Sequence, residues 1–216
     1  GSGFPKKSHI FKGNIAEAGT LQSMLEKISD KKAVVVMDAG IATEANITWL
    51  NDNNYKYLVI SRKRNQSLPD IEGVVVKDDP ENKITTFLLN NDQEAELYCH
   101  SQGVEKRSGK ILEKYINRFE EELKKIANGL QKKTGTKKYD IILQRIGRIK
   151  EKYSMVARQF NINIIADDTK EKVTAISWEN TTEKQHKKPG IYCIRTNQIE
   201  LNNQQIWNTY RMLNDI

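Results

Sequence analysis

The stretch KKAVVVMDAGIATEANITWL, residues 31–50, decides the fold class. Val34 to Met37 form a short β-branched run without polar alternation, which predicts a strand buried on both faces of a covered sheet. The turn signal D-A-G follows, and Thr43 can cap a helix whose apolar face includes Ile47 and Leu50. A strand, a turn and a helix in this order are typical of an α/β unit.

Asp38 is the first residue after the apolar run, at the carboxyl end of the predicted strand. Open α/β sheets bind their ligands at this end of the strands. An isolated D-A-G turn is also a common way to end a strand. The local sequence therefore leaves two roles open for Asp38, turn formation and ligand binding.

The α/β pattern continues on both sides of this stretch. The spacing of apolar residues predicts a helix from about Glu17 to Ile28 and a second strand at Tyr57–Ile60. Near the end of the chain, a strand over Ile191–Arg195 precedes a helix that begins near Asn202. The alternation of strands and helices in the first sixty residues predicts parallel strands with crossover helices.

The segment between these two regions has a different pattern of predicted secondary structure. Short strands joined by polar turns are predicted at 71–76, 84–89 and 94–99, which is typical of an antiparallel meander. Two more strands are predicted at 162–166 and 173–178.

Two amphipathic helices separate these groups of strands, over about residues 104–158. Their apolar residues recur at alternating steps of four and three, and the linker QKKTGTKK between them is short and polar. This spacing predicts an antiparallel helical hairpin. We therefore expect an α/β body in residues 1–60, a large α+β insertion in 61–189 and a return to the body in 190–216.

The amino-acid composition limits the classes of protein to which the chain can belong. The chain has 216 residues, 38% of them hydrophobic, which is enough for a real core in one or two domains. Cys99 and Cys193 give no disulfide framework and fit a reducing cytoplasm, and the three histidines match no zinc spacing. No apolar run is long enough for a membrane span, so no membrane association is expected.

The positive charge is concentrated in one part of the chain. Lys and Arg exceed Asp and Glu by 35 to 28, and residues 103–158 hold 16 basic and 7 acidic side chains. A basic segment beside a nearly neutral body indicates a polyanionic partner such as nucleic acid. A solvated lysine-rich helix face has the same composition, so charge alone leaves both interpretations open.

Four stretches, in this order, resemble the insertion-sequence DDE transposases, which are DNA enzymes with a ribonuclease-H-like fold. The resemblance is to the group with a Tyr–Arg–Glu–Lys signature, and it spans nearly the whole chain. The stretches are IFKGNIAEAGTL, VVVMDAGIATEANITWL, GRIKEKYSMVARQF and GIYCIRTNQIELNNQQIWNTYRMLNDI.

The signature places Tyr210 at its tyrosine and Leu213 where an arginine is expected, which is a departure from the family pattern. The signature glutamate would follow Ile216, and the family's first catalytic aspartate would precede Gly1. The resemblance therefore implies a fragment that holds one of three catalytic carboxylates and is inactive by itself. It implies that Asp38 is that catalytic carboxylate.

The resemblance also implies the ligands and partners of the complete enzyme. Asp38 would bind Mg²⁺ or Mn²⁺ together with the missing carboxylates, for metal-dependent cleavage and strand transfer of DNA. The partner would be the terminal inverted repeats of the transposon, bound by a bacterial-type cytoplasmic protein, with a homodimer in the DNA complex.

Four side chains are candidates for DNA contact. Arg62, Lys63 and Arg64 follow the Tyr57–Ile60 strand and are expected near the same sheet edge as Asp38, although a solvated basic loop would look the same. Tyr210 takes the place of the tyrosine that contacts the DNA backbone in the family, and ordinary helix packing is its alternative role.

A second function, of a different class from transposition, also explains the concentration of positive charge in residues 103–158. The chain would then be a non-catalytic nucleic-acid-binding or scaffolding protein built on the basic helical hairpin. Its DNA binding would weaken steeply with salt and would not depend on Asp38.

Overall fold

The computed structural model describes residues 8–27, 33–63, 67–181 and 189–212. The chain divides into two compact units. One comprises residues 1–105 and 187–216, and the other comprises residues 106–186. We refer to them as unit 1 and unit 2.

Unit 1 is built on a six-stranded mixed sheet with the order β1-β2-β8-β5-β4-β3. Strands β1 and β2 are parallel, and every other neighbouring pair is antiparallel. The strands are β1 (Val34–Met37), β2 (Lys56–Ile60), β3 (Val74–Asp79), β4 (Asn82–Asn90), β5 (Ala95–Ser101) and β8 (Ile191–Thr196).

Helices cover the two faces of this sheet. A 3-10 helix at Glu17–Thr20, α1 (Leu21–Leu25) and α2 (Glu44–Asp52) lie on one face, and α6 (Asn203–Arg211) lies on the other. The alternation along β2 shows this arrangement. Tyr57 and Val59 pack in the cluster that contains Leu50 of α2, whereas Leu58 packs in the cluster that contains Ile206 of α6.

The ends of α2 and α6 are set by local sequence. The Thr43 side chain accepts a hydrogen bond from the Asn46 N–H at 3.2 Å, so Thr43 caps α2 as its position predicts. Asn202 caps α6, where Asn202 and Gln205 form a reciprocal capping box. Both caps fix the direction in which the helix leaves the sheet.

Strand β1 differs from its expectation. It lies at the edge of the sheet, where it pairs only with β2 within the described residues. Val35 packs on the α2 face, and Val34 and Val36 pack on the α6 face, so both faces carry apolar contacts. The three valines nevertheless remain half-buried because one side of the strand is open, and only Met37 is buried.

The other differences concern the predicted insertion and the first helix. Strands β3, β4 and β5 do form an antiparallel meander, but it joins the sheet of β1, β2 and β8 through β5. The first turn of the helix predicted from Glu17 is 3-10, and Ile28 lies outside the described residues. Gly19, in that turn, is a poor α-helix former.

Unit 2 contains a helical hairpin and a two-stranded sheet. Its elements are α3 (Gln102–Gln131, apart from its first turn), α4 (Tyr139–Lys152), α5 (Ser154–Ala157), β6 (Phe160–Ala166) and β7 (Val173–Asn180).

The two long helices of unit 2 run antiparallel. Phe119, in the middle of α3, packs against Tyr153 just after α4, whereas Leu130, near the end of α3, shares a cluster with Ile142 near the start of α4. The antiparallel pair β6–β7 packs against the same clusters through residues such as Ile162. Unit 2 thus has its own buried core.

None of the helices in the described residues combines the length and the apolar character that a membrane crossing requires.

Candidate active site

Asp38 lies at the carboxyl end of β1, with an exposed side chain. Its Oδ1 accepts hydrogen bonds from the backbone N–H groups of Gly40 at 2.8 Å and Ile41 at 3.2 Å. Its Oδ2 has no hydrogen-bond partner in the described part of the chain. One oxygen therefore closes the turn while the other stays available to a ligand, so the two roles left open by the sequence are compatible.

A second carboxylate lies beside Asp38. A β-carbon built on Gly40 would be 3.1 Å from Asp38 Oδ1 and 3.3 Å from Glu17 Oε2. The two carboxylates thus approach the same space beside Gly40, one from the turn after β1 and one from the 3-10 helix. Both are exposed, and both offer oxygen ligands to a cation.

Asn46 holds these two segments together. Its buried side-chain amide donates hydrogen bonds to the carbonyl oxygen of Ala18 and to that of Ile41, each at 2.8 Å. Ala18 follows Glu17 in the 3-10 helix, and Ile41 ends the Asp38 turn. A single side chain on α2 therefore fixes the position of Glu17 relative to Asp38.

Tyr210 of α6 lies within electrostatic range of Asp38. Burial raises the pKa of Tyr210, and electrostatic interactions with Cys99 and Asp38 add to the increase. The Tyr210 ring also packs near Tyr192, with 6.2 Å between the ring centroids. A tyrosine whose pKa is ordinary or raised is neutral at physiological pH, so the Tyr210 hydroxyl can donate a hydrogen bond.

Arg62 and Lys63 follow β2 and are exposed. Lys63 is close enough to Glu44, the first residue of α2, to contribute to the lowered pKa of that carboxyl, behind the larger effect of a hydrogen bond from Arg195. Because β1 and β2 are parallel, Lys63 and Asp38 both follow strand ends at the same edge of the sheet. Arg64 lies outside the described residues, as does Leu213.

Arg195 of β8 ties the start of α2 to the sheet. Its Nη1 donates to Glu44 Oε1 at 2.7 Å, and its Nε donates to Glu94 Oε1 at 2.9 Å. Burial alone would lower the pKa of Arg195, but the hydrogen bonds to the two glutamates outweigh burial and raise it. Since α2 begins just after the Asp38 turn, Arg195 helps to position that turn.

The carboxylate oxygens of Asp38 and Glu17 fit part of a divalent-cation site. Carboxylate oxygens of the Asp38 and Glu17 type are the ligands that Mg²⁺ and Mn²⁺ prefer. Within the described ranges, however, no three His, Cys, Asp or Glu side chains come together as a metal-binding group. A two-metal centre would need further oxygen ligands.

The sequence did not reveal three residues of this site, namely Glu17, Asn46 and Arg195. Arg195 had the clearest signal, because it is a single charged residue in the otherwise apolar and aromatic strand IYCIRT. Glu17 lay inside a quoted stretch, but its proximity to Asp38 depends on the path of the chain over many residues. Asn46 gave no signal, since an asparagine in the first turn of a helix is usually exposed.

Comparison with known proteins agrees with the resemblance. The family model described as Transposase DDE domain matches residues 1–212. No curated protein and no solved structure matches the chain. The six-stranded mixed sheet with its helices is consistent with a ribonuclease-H-like DDE domain. Since the match covers nearly every residue, the chain belongs to the family of insertion-sequence DDE transposases.

Proposed function

We propose that this chain supplies one metal-binding carboxylate, Asp38, to a transposase that cleaves insertion-sequence ends and transfers the cut strand to new DNA. The family as a whole performs phosphoryl transfer on DNA and generally uses divalent metal ions. The proposal adds the residue and the ligand, which are Asp38 and Mg²⁺ or Mn²⁺.

The observation that carries the proposal is the state of the Asp38 carboxylate. One oxygen is fixed by two backbone N–H groups, so the group is held in place, and the other oxygen has no partner among the described residues. It stands at the end of a strand, where ligands bind in sheets of this type.

When bound, a pair of divalent ions would activate the attacking oxygen and stabilise the leaving oxygen at the DNA phosphorus. Asp38 would hold one ion and Glu17 would raise the negative potential that attracts it. The neutral Tyr210 hydroxyl would donate a hydrogen bond to a phosphate oxygen of the transposon end. Arg62, Lys63 and Arg64 would contact the phosphate backbone nearby, without reading sequence.

The rest of the molecule has supporting roles in this proposal. Unit 2, the part of the predicted insertion that lies outside the six-stranded sheet, would grip the terminal inverted repeats, in a complex with two protomers. Further carboxylates would complete the metal site around Asp38, and the enzyme would work in the cytoplasm.

The test compares Asp38→Asn with Asp52→Asn, a matched control at an exposed acid near the end of α2. In a transposase that contains this chain, Asp38→Asn should abolish cleavage and strand transfer of its inverted repeats, whereas Asp52→Asn should leave both unchanged. Mn²⁺ titration followed by water-proton relaxation should show weaker binding for Asp38→Asn alone. Strand transfer retained in Asp38→Asn would refute the assignment.

A further inference from the structure

Six basic side chains lie along one face of α3 and of the residue that follows it. They recur at steps of three, four, four, seven and seven residues, which places them on a single line of the helix surface. All six are exposed. We refer to this set as the basic stripe, and its members are Arg107, Lys110, Lys114, Arg118, Lys125 and Lys132.

The stripe lies opposite the buried face of the helix. Phe119 and Leu123, which are 0% exposed, belong to the seam that packs against α4, and this seam lies about half a turn from the stripe. The stripe therefore faces away from the core of unit 2. Side chains with this orientation are not needed to hold the hairpin together.

The charges of the stripe are almost unpaired. Lys125 Nζ lies 3.4 Å from Glu122 Oε1, and none of the other five cations has a carboxylate partner in the described residues. Glu121 is the one acidic residue whose position in the helical repeat falls on the stripe.

This pattern is unfavourable for the helix itself. Lys110, Lys114 and Arg118 follow one another at steps of four, and each such like-charge pair destabilises an isolated helix. A solvated helix face normally alternates the signs of its charges. A line of six cations with only Glu121 among them is better explained by a polyanion that neutralises them.

The shape of the stripe indicates a stiff polyanion. Its members span 25 residues of nearly continuous helix, or about 37 Å at a rise of about 1.5 Å per residue. Over that length, roughly 11 base pairs, duplex DNA is effectively straight because its persistence length is about 150 base pairs. A straight line of long, flexible side chains can reach its phosphates without any base contact.

We infer that the basic stripe of α3 is a binding surface for the sugar–phosphate backbone of duplex DNA, with no preference for base sequence. The choice of duplex DNA rests on the proposed function. The inference adds to the proposed function because it assigns DNA-backbone binding to one face of one helix.

The experiment uses the whole chain, with EDTA present so that no cleavage occurs. Binding to a 30-base-pair duplex of arbitrary sequence is measured by fluorescence anisotropy over a series of KCl concentrations. The stripe variant is Arg107→Gln/Lys114→Gln/Arg118→Gln. The control variant, Lys124→Gln/Lys150→Gln/Lys170→Gln, removes the same charge from exposed positions off the stripe. Circular dichroism verifies that both variants keep the helical content of the parent.

The stripe variant should bind at least tenfold more weakly at low salt. Its slope of log affinity against log salt should be shallower by about 2–3, since each lost phosphate contact removes about 0.9 from the slope. The control variant should lose less than threefold. Equal losses in the two variants, no loss in the stripe variant, or no duplex binding by the parent chain would overturn the inference.

Two further arms separate the alternatives. If single-stranded DNA of equal charge showed the same loss, the stripe would be a general polyanion surface and the duplex assignment would be wrong. Asp38→Asn should bind the duplex as the parent does. If Asp38→Asn loses strand transfer while the stripe variant binds normally, the inference fails and the proposed function stands. The reverse result refutes the proposed function and retains the stripe.

Discussion

Single residues hold the candidate site in place through few but well-directed hydrogen bonds. Asp38 accepts hydrogen bonds from two backbone N–H groups. Asn46 donates one hydrogen bond to the segment that carries Glu17 and one to the turn that carries Asp38. Asn46 is buried, so loss of its amide would leave two carbonyl oxygens without their donor. The geometry of the two carboxylates thus depends on a residue that binds no ligand.

We expect Asn46→Ala to lower the free energy of unfolding by about 2 kcal/mol, because two buried hydrogen bonds are lost. Urea denaturation at neutral pH provides the measurement. The control is Asn117→Ala, which removes the same side chain from an exposed position on α3. A change below about 0.5 kcal/mol in Asn46→Ala would show that the two hydrogen bonds do not stabilise the fold.

Asn46→Ala should also weaken Mn²⁺ binding, since Glu17 would no longer be held beside Asp38. Unchanged Mn²⁺ affinity in a folded Asn46→Ala protein would show that Glu17 has no part in the site.

Local signals predicted the elements of unit 1 well. Thr43 caps α2 as expected, α6 begins next to Asn202 as predicted, and β2 and β8 begin within one residue of the predicted starts. Such features depend on side chains a few residues apart, which the sequence displays directly.

Partners of the strands were harder to predict. The pairing of β5 with β8 joins residues about a hundred positions apart, and nothing in either strand specifies that neighbour. For the same reason the open edge of β1 and the approach of Glu17 to Asp38 were not foreseen. Strand register is set by the whole sheet, whereas strand existence is set locally.

Arg195 shows how one strand residue can organise neighbouring elements. Its side chain is only 12% exposed. It forms ion pairs with Glu94, just before β5, and with Glu44, at the start of α2. Arg195→Met should lower the free energy of unfolding by about 2–3 kcal/mol at pH 7, mostly because Glu94 is left partly buried without a cation. Chemical denaturation measures the change.

The difference in unfolding free energy between the parent protein and Arg195→Met should become smaller in acid. The pKa of Glu44 is lowered in the folded protein by its hydrogen bond to Arg195, so ionised Glu44 stabilises the native state above the pKa that it has when unfolded. That contribution disappears as the pH falls through the folded pKa, below about 4.5. Because Arg195→Met lacks this contribution at every pH, the two stability curves should converge there. Parallel curves down to pH 3 would contradict this account.

At the scale of the molecule, the central strands of unit 1 form the best-protected part of the sheet. Cys99 of β5 and Cys193 of β8 are both buried, at 0% and 1% exposed. Burial raises the pKa of the Cys99 thiol to about 12 and also raises the pKa of Cys193. Neither thiol ionises near neutral pH, and neither is open to a reagent.

The two thiols should therefore report unfolding of unit 1. With Ellman's reagent at pH 8, we expect no rapid reaction in the native protein and two equivalents after denaturation in guanidinium. As denaturant is added, reactivity should rise together with the loss of sheet signal in circular dichroism. A thiol that reacts within seconds in the native protein would show that β5 or β8 is accessible from outside.

The open side of β1 has a consequence for handling the protein. The opposite edge strand, β3, is interrupted by a bulge near Val75 and carries the Lys77–Asp79 ion pair, features that discourage pairing with another chain. The apolar strand β1 has neither feature. In concentrated solution its unpaired backbone groups can accept the same strand of a second molecule, so self-association should begin at this edge. A lysine in place of Val34 would be the first substitution to improve solubility.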